Sequence, residues 1–192
     1  MELFGIFFAA FLINNILLIR FIALCSFFGV STKIDTAIGM SSAVVFVMTI
    51  SSAMSWIVYH AVLSPLHLEF LRTAIFILVI ASLVQLEELY MKKMVPNLYK
   101  AMGIYLPLIT TNCAILAVAF LAIDYKYNFI QSMVYSVGVS FGYSLAIILF
   151  AYIRERMALA LIPKWFQGYP IAFITAALMS LAFLGFTGMF GL

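Results

Sequence analysis

The sequence predicts an all-helical integral membrane protein: six transmembrane helices arranged as two inverted three-helix repeats. Three observations carry this. First, 67% of the 192 residues are hydrophobic and 9% are charged, against about 25% charged in an ordinary soluble domain. Mean hydropathy is +1.21. So few charges cannot coat a soluble domain, which excludes a water-soluble enzyme, a disordered chain and a nucleic-acid-binding domain. Second, the apolar runs are continuous rather than alternating, which argues against a β-barrel. They have the ~20-residue length that a helix needs to cross a bilayer. Third, the two halves resemble each other. At an offset of 98 residues Asn14 matches Asn112, Ala74 matches Ala172, and Ser82-Leu83 matches Ser180-Leu181. At 99, Gly39 matches Gly138 and Ser41 matches Ser140. Three spans per half is an odd number, so the halves are expected to be inverted across the membrane, with a functional site near the midplane.

The first span covers residues 3–30, and polar residues break up its second half. Its start, Met-Glu-Leu-Phe, has no basic flank, and the apolar stretch is too long for a cleaved signal peptide, so it is expected to be retained. The second span is 37–63 and the third 71–90. The fourth is 101–123, the fifth 129–153 and the sixth 170–192. Pro65, Pro96 and Pro163 fall between spans, where helices end. Pro107 lies inside the fourth and predicts a kink or restart. With no long linker, residues 1–192 read as one transmembrane domain, with halves 1–95 and 96–192.

Basic residues give the orientation. Lys33, Lys92, Lys93, Lys100, Arg154, Arg156 and Lys164 lie in or beside the loops after spans 1, 3 and 5, and Arg20 is counted with them. Arg72 and Lys126 lie on the other side. This puts the basic loops in the cytoplasm and both termini outside.

Polar groups in lipid are costly and mark candidate sites. Span 1 carries Asn14, Asn15 and Arg20; span 4 carries Thr110, Thr111 and Asn112. Such side chains either hydrogen-bond between helices or satisfy backbone freed where a helix breaks. The second reading frames a central site between broken spans 1 and 4. The two cysteines, Cys25 and Cys113, fall on the same two spans. They are open to three readings: small buried hydrophobes, a disulfide, or metal ligands. Two thiols cannot complete an iron–sulfur centre, which usually takes four, so a partner chain would supply the rest. Along straight helices Cys25 would sit ~12 Å nearer the cytoplasm than Cys113. Metal ligation therefore requires a break near Asn14-Asn15.

The other features favour packing. Gly138 and Gly142, with Ser136, Ser140 and Ser144, suit close helix approach. Glu87, Glu88 and Glu155 read as interfacial ion-pair partners at cytoplasmic helix ends, with a coupling-ion role as the lesser alternative. His60 and His67 are too isolated for a metal site. No phosphate loop, haem-attachment motif or Rossmann unit is present.

Several of these segments resemble one family. They are Leu106-Pro-Leu-Ile-Thr-Thr-Asn-Cys113-Ala and Asn14-Asn15 with Arg20-Phe21, Leu24-Cys25 and Phe28-Gly-Val-Ser31. Arg72-Thr-Ala, Ile153-Arg-Glu-Arg156 and Leu178-Met-Ser-Leu-Ala-Phe183 belong with them. Together they resemble the membrane subunits of the Rnf ion-translocating oxidoreductase complexes (the RnfA/RnfE/NqrD/NqrE family), across nearly the whole chain. The Asn14-Asn15 and Thr110-Thr111 pairs look more like the A-type Rnf member than its relative in sodium-pumping NADH:quinone reductase. The resemblance implies a subunit, not catalytic alone, of a ferredoxin:NAD oxidoreductase that moves Na+ or H+ across the bacterial cytoplasmic (inner) membrane. It implies a partner E subunit of opposite topology and a [2Fe-2S] cluster shared with it, with Cys25 and Cys113 as two of the ligands. Asn14, Asn15, Thr110, Thr111 and Asn112 would shape the helix breaks around that cluster. Flavins, the NAD site and other clusters would lie on further Rnf subunits, and no flavin is expected here. The alternatives are a subunit of the quinone reductase, a subunit of a complex that keeps a redox sensor reduced, or a metal-free secondary transporter.

Overall fold

The computed structural model describes residues 2–66, 69–94, 107–159 and 163–186. Those residues form helices and connecting turns, with no strand among them. Helix α1 (Glu2–Phe8) runs into a π-helical turn, Ala9–Ile13. An irregular stretch follows, and helix resumes in α2 (Leu24–Val30). The long α3 (Ile34–Val58) continues as a second π turn, Tyr59–Leu63. Helix α4 is Arg72–Met94. The second half repeats the order: short α5 (Pro107–Thr110), a break, α6 (Cys113–Asp124), long α7 (Phe129–Ala158), then α8 (Tyr169–Leu184).

Three helical stretches, Ile34–Leu63, Arg72–Tyr90 and Phe129–Ala158, are long and apolar enough to span a bilayer unaided. These are the second, third and fifth predicted spans. The first and fourth spans are broken, as their polar residues predict. Pro107 starts α5 rather than kinking a continuous helix. His67, Pro96, Lys100, the start of the fourth predicted span (101–106) and the tail 187–192 lie outside the described residues.

The core is the contact between α3 and α7, the second spans of the two halves. Ser52 and Ser132 hydroxyls meet across it at 3.3 Å. Helix α7 also receives α1 and the π turn that follows it at very short range. A Cβ on Gly138 would lie 2.9 Å from the Phe7 carbonyl oxygen, and one on Gly142 only 2.6 Å from that of Phe11. Glycine is therefore required at both positions, and the expected close approach is there. Ser136, Ser140 and Ser144 bond back to carbonyls of their own helix (Met133, Val137 and Ser140). Their hydroxyls are satisfied locally, so the ladder adds little beyond small size. A capping box on Asn128 and Gln131 starts α7.

Candidate functional site: two broken helices joined on α7

Breaking a helix inside a membrane frees backbone groups that lipid cannot satisfy. In the first break one side chain does most of the repair. Asn15 is fully buried. Its Oδ1 accepts from the Leu17 and Leu18 amides at 3.1 and 3.3 Å, and its Nδ2 donates to the Gly142 carbonyl on α7 at 2.8 Å. The Asn14 amide closes the π turn onto the Ala9 carbonyl at 2.8 Å. From α8 the Ser180 hydroxyl donates to the Leu18 carbonyl at 2.7 Å. Phe21 and Ala23 take left-handed φ values of 53° and 69°. For a residue with a Cβ that conformation costs about 1–2 kcal/mol. It turns the chain back so that α2 can start at Leu24.

The second break uses the same device. Asn112 caps α6, its Oδ1 accepting from the Ala114 amide at 3.0 Å. Its Nδ2 donates to the Tyr143 hydroxyl on α7 at 3.4 Å. The two asparagines thus reach adjacent residues of α7, Gly142 and Tyr143. The structural counterpart of Asn112 is therefore Asn15, not Asn14 as the 98-residue offset suggests. Asn14 is exposed. An offset counted through apolar sequence cannot fix a register to one residue; the hydrogen bonds do.

Tyr143 is the residue that sequence reasoning missed. It is wholly buried, and its hydroxyl lies 2.8 Å from the Ser26 hydroxyl. Ser26 donates to the Ala23 carbonyl at 2.9 Å. With that proton committed, the order is fixed: Asn112 amide to Tyr143 hydroxyl, to Ser26 hydroxyl, to Ala23 carbonyl. Ser26 follows Cys25 and Asn112 precedes Cys113, so a single phenol ties both cysteine segments together near mid-helix of α7. The available signal was a tyrosine within the Gly138–Gly142–Ser144 ladder, indistinguishable in sequence from a packing residue.

Both cysteines stand in the first turn of a helix that restarts after a break, Cys25 in α2 and Cys113 in α6. Both are free and exposed on the surface of the chain, so neither is a buried hydrophobe and they do not form a disulfide. Cys113 borders a half-open cleft of about 240 Å3 against Ile77, Ile80 and Ala81 of α4. Its thiol lies 3.8 Å from the Thr111 carbonyl. Thr111 is exposed beside it; Thr110 ends α5, and its side chain lies outside the described residues. No group of three or more His, Cys, Asp or Glu side chains suited to a metal occurs among the described residues. The far end of α2 is also held by α7: Arg154 donates to the Phe28 carbonyl and the Ser31 hydroxyl, each at 2.9 Å.

Two charged residues sit elsewhere than expected. Arg20 donates to the Tyr125 hydroxyl at 2.9 Å, in the loop that also carries Lys126. Asp124, next to it, pairs with Arg72 at 2.8 Å. Arg20 therefore belongs with Arg72 and Lys126, not with the basic loops, because the chain doubles back after Asn15. The basic bias narrows but keeps its sign. In the same loop, burial and the neighbouring Tyr125 push the Tyr127 phenol above its usual range, which keeps it neutral. Glu87 is 9% exposed and makes no ion pair among the described residues, contrary to the helix-end reading.

Comparison with known proteins identifies the family. A family model described as "Rnf-Nqr subunit, membrane protein" matches residues 3–190. The chain is 52% identical, over 98% of both chains, to the A subunit of the Na+-translocating ferredoxin:NAD+ oxidoreductase complex of Acetobacterium woodii. It is 54% identical to the A subunit of the ion-translocating oxidoreductase complex of Aeromonas salmonicida, over 93% of this chain and 92% of that one. The corresponding A subunit of Syntrophotalea carbinolica is 51% identical over 94% and 93%.

Proposed function

The chain belongs to the Rnf-Nqr family of membrane subunits, and from that premise we propose that it is the A subunit of an Rnf-type ion-translocating ferredoxin:NAD+ oxidoreductase. In this reading Cys25 and Cys113 provide two of the four ligands of a [2Fe-2S] cluster held with a homologous E subunit of opposite topology. The observation that carries it is the shared Tyr143 hydroxyl, bonded to the residue after one cysteine and the residue before the other. Two free, exposed thiols on segments joined through one tyrosine fit half of a four-thiolate set. When bound, the cluster supplies one-electron transfer within the membrane.

The chain's own residues have separate tasks. Asn15 and Asn112 keep the two breaks open without stranding backbone groups. Tyr143 and Ser26 fix the separation of the cysteine segments. Asn14 and Thr111, exposed beside the breaks, face the surface where the partner docks, and Thr110 shapes the second break with them. Coupled Na+ or H+ movement offsets the charge that electron transfer adds at low dielectric, where charge–charge terms are several-fold larger than in water. The two halves are inverted repeats of one transmembrane domain, in the bacterial inner membrane with both termini outside. Partners with soluble mass carry the flavins, the other clusters and the NAD site.

The test is Cys113→Ser, with Cys25→Ser beside it, in the assembled complex. Iron content and ferredoxin-dependent NAD reduction fall together in both. Unchanged iron and unchanged turnover in either variant would remove that cysteine from the ligand set.

A further inference from the structure

A second site lies between α3 and α4, apart from the cysteines. Phe46, Ile50 and Ser51 of α3 and Leu83, Glu87 and Tyr90 of α4 line a half-open cleft of about 270 Å3. Its α3 residues lie in the middle third of the Ile34–Leu63 span, so Glu87 lies beside the middle of α3 although it is close to the end of its own helix. Glu87 is 9% exposed and Ser51 fully buried. The Ser51 hydroxyl has no hydrogen-bond partner among the described residues, and Glu87 has no ion pair or hydrogen bond among them.

Two unpartnered polar groups facing one apolar cleft are costly apart and complementary together. A buried carboxylate without a counter-charge costs far more than a neutral carboxyl, and a neutral carboxyl has the proton that an orphaned hydroxyl oxygen can accept. A hard metal cation asks for about six oxygen ligands, which this cleft does not offer. We propose that Glu87 and Ser51 form a proton-binding site inside the membrane, where the Glu87 carboxyl takes up a proton and donates it in a hydrogen bond to Ser51.

Few other charges bear on the site. Among the described residues Tyr90 is the only other titratable group lining the cleft, and α3 contributes none. Helix α5 has no titratable residue. Cys113 of α6 faces the separate cleft against Ile77 and Ile80, and the Arg72–Asp124 pair is at the opposite end of α4. Glu88 does not line the cleft, and Lys92 and Lys93 are exposed beyond it.

Dicyclohexylcarbodiimide tests this in the intact complex in its native membrane. The reagent is apolar and adds to a protonated carboxyl: the O–H adds across a C=N bond and the adduct rearranges to a stable N-acylurea with no atom lost. Mass spectrometry should place one reagent molecule on Glu87, with labelling falling several-fold from acidic to alkaline buffer. Glu88→Gln and Cys113→Ser keep the adduct, and Glu87→Gln abolishes it. Ser51→Ala moves the fall in labelling to lower pH, because the neutral carboxyl loses its acceptor. Absence of the adduct on Glu87 at every pH overturns the site. Suppression by Na+ at constant pH overturns its assignment to a proton, and an unmoved pH curve in Ser51→Ala removes Ser51 from it.

Discussion

The two helix breaks solve one problem at very different cost. The second spans only residues 111–112 and is an ordinary capped restart: one asparagine, one amide, and Cys113 immediately after. The first extends over residues 14–23, includes two left-handed residues, and draws on α7 and α8 for partners. The reason is the distance between asparagine and cysteine. Cys113 follows Asn112 directly, whereas Cys25 comes ten residues after Asn15 (15 to 25). To reach the same tyrosine hydroxyl, the first half must fold its surplus chain back on itself. The tie to Tyr143 is what the two halves share, and the backbone between is adjusted to meet it.

This contrast can be broken by mutation. The largest effect is expected from Asn15→Ala, which orphans two amides and a carbonyl in the interior. At about 1 kcal/mol or more for each lost bond, destabilisation should be about 3 kcal/mol, read by denaturant titration of the purified protein in bicelles. Asn112→Ala should cost about 1 kcal/mol, the usual value of a helix N-cap. Equal losses for the two would mean that the long break is no more dependent on its asparagine than the short one.

Tyr143→Phe lies between them at about 1–2 kcal/mol, since it strands the Asn112 amide and the Ser26 oxygen at once. Its sharper signature is kinetic: in the unliganded protein, alkylation of Cys25 and Cys113 should accelerate together. Acceleration at one cysteine alone would show that the phenol does not join the segments. Arg20→Gln should have the smallest effect, under ~1 kcal/mol, because its bond to Tyr125 is exposed. A larger loss would mean that the doubled-back chain is anchored at its tip rather than at Asn15.

Much of this was legible in sequence because lipid makes polar residues conspicuous. Asn15, Asn112 and the two cysteines stand out from apolar runs, and depth counting already required a break if the cysteines were to meet. The unreadable parts share one cause, that counting assumes straight helices. It put Arg20 with the basic loops, because it could not see the chain reverse. It made Glu87 an ion-pair partner because Glu87 is near the end of its helix, and could not see that the middle of α3 buries it. Tyr143 escaped notice because a phenol in an apolar span looks like packing until its hydroxyl is placed.

Helix α7 holds Asn15 through Gly142, both cysteine segments through Tyr143, and the end of α2 through Arg154. In kinematic terms it is a single shaft with several followers. A slide of α7 by one residue, about 1.5 Å, or a small turn about its axis, would displace both half-sites in phase. Neither half can be retuned alone through α7, so any motion that passes along this helix is synchronous at the two cysteines by construction.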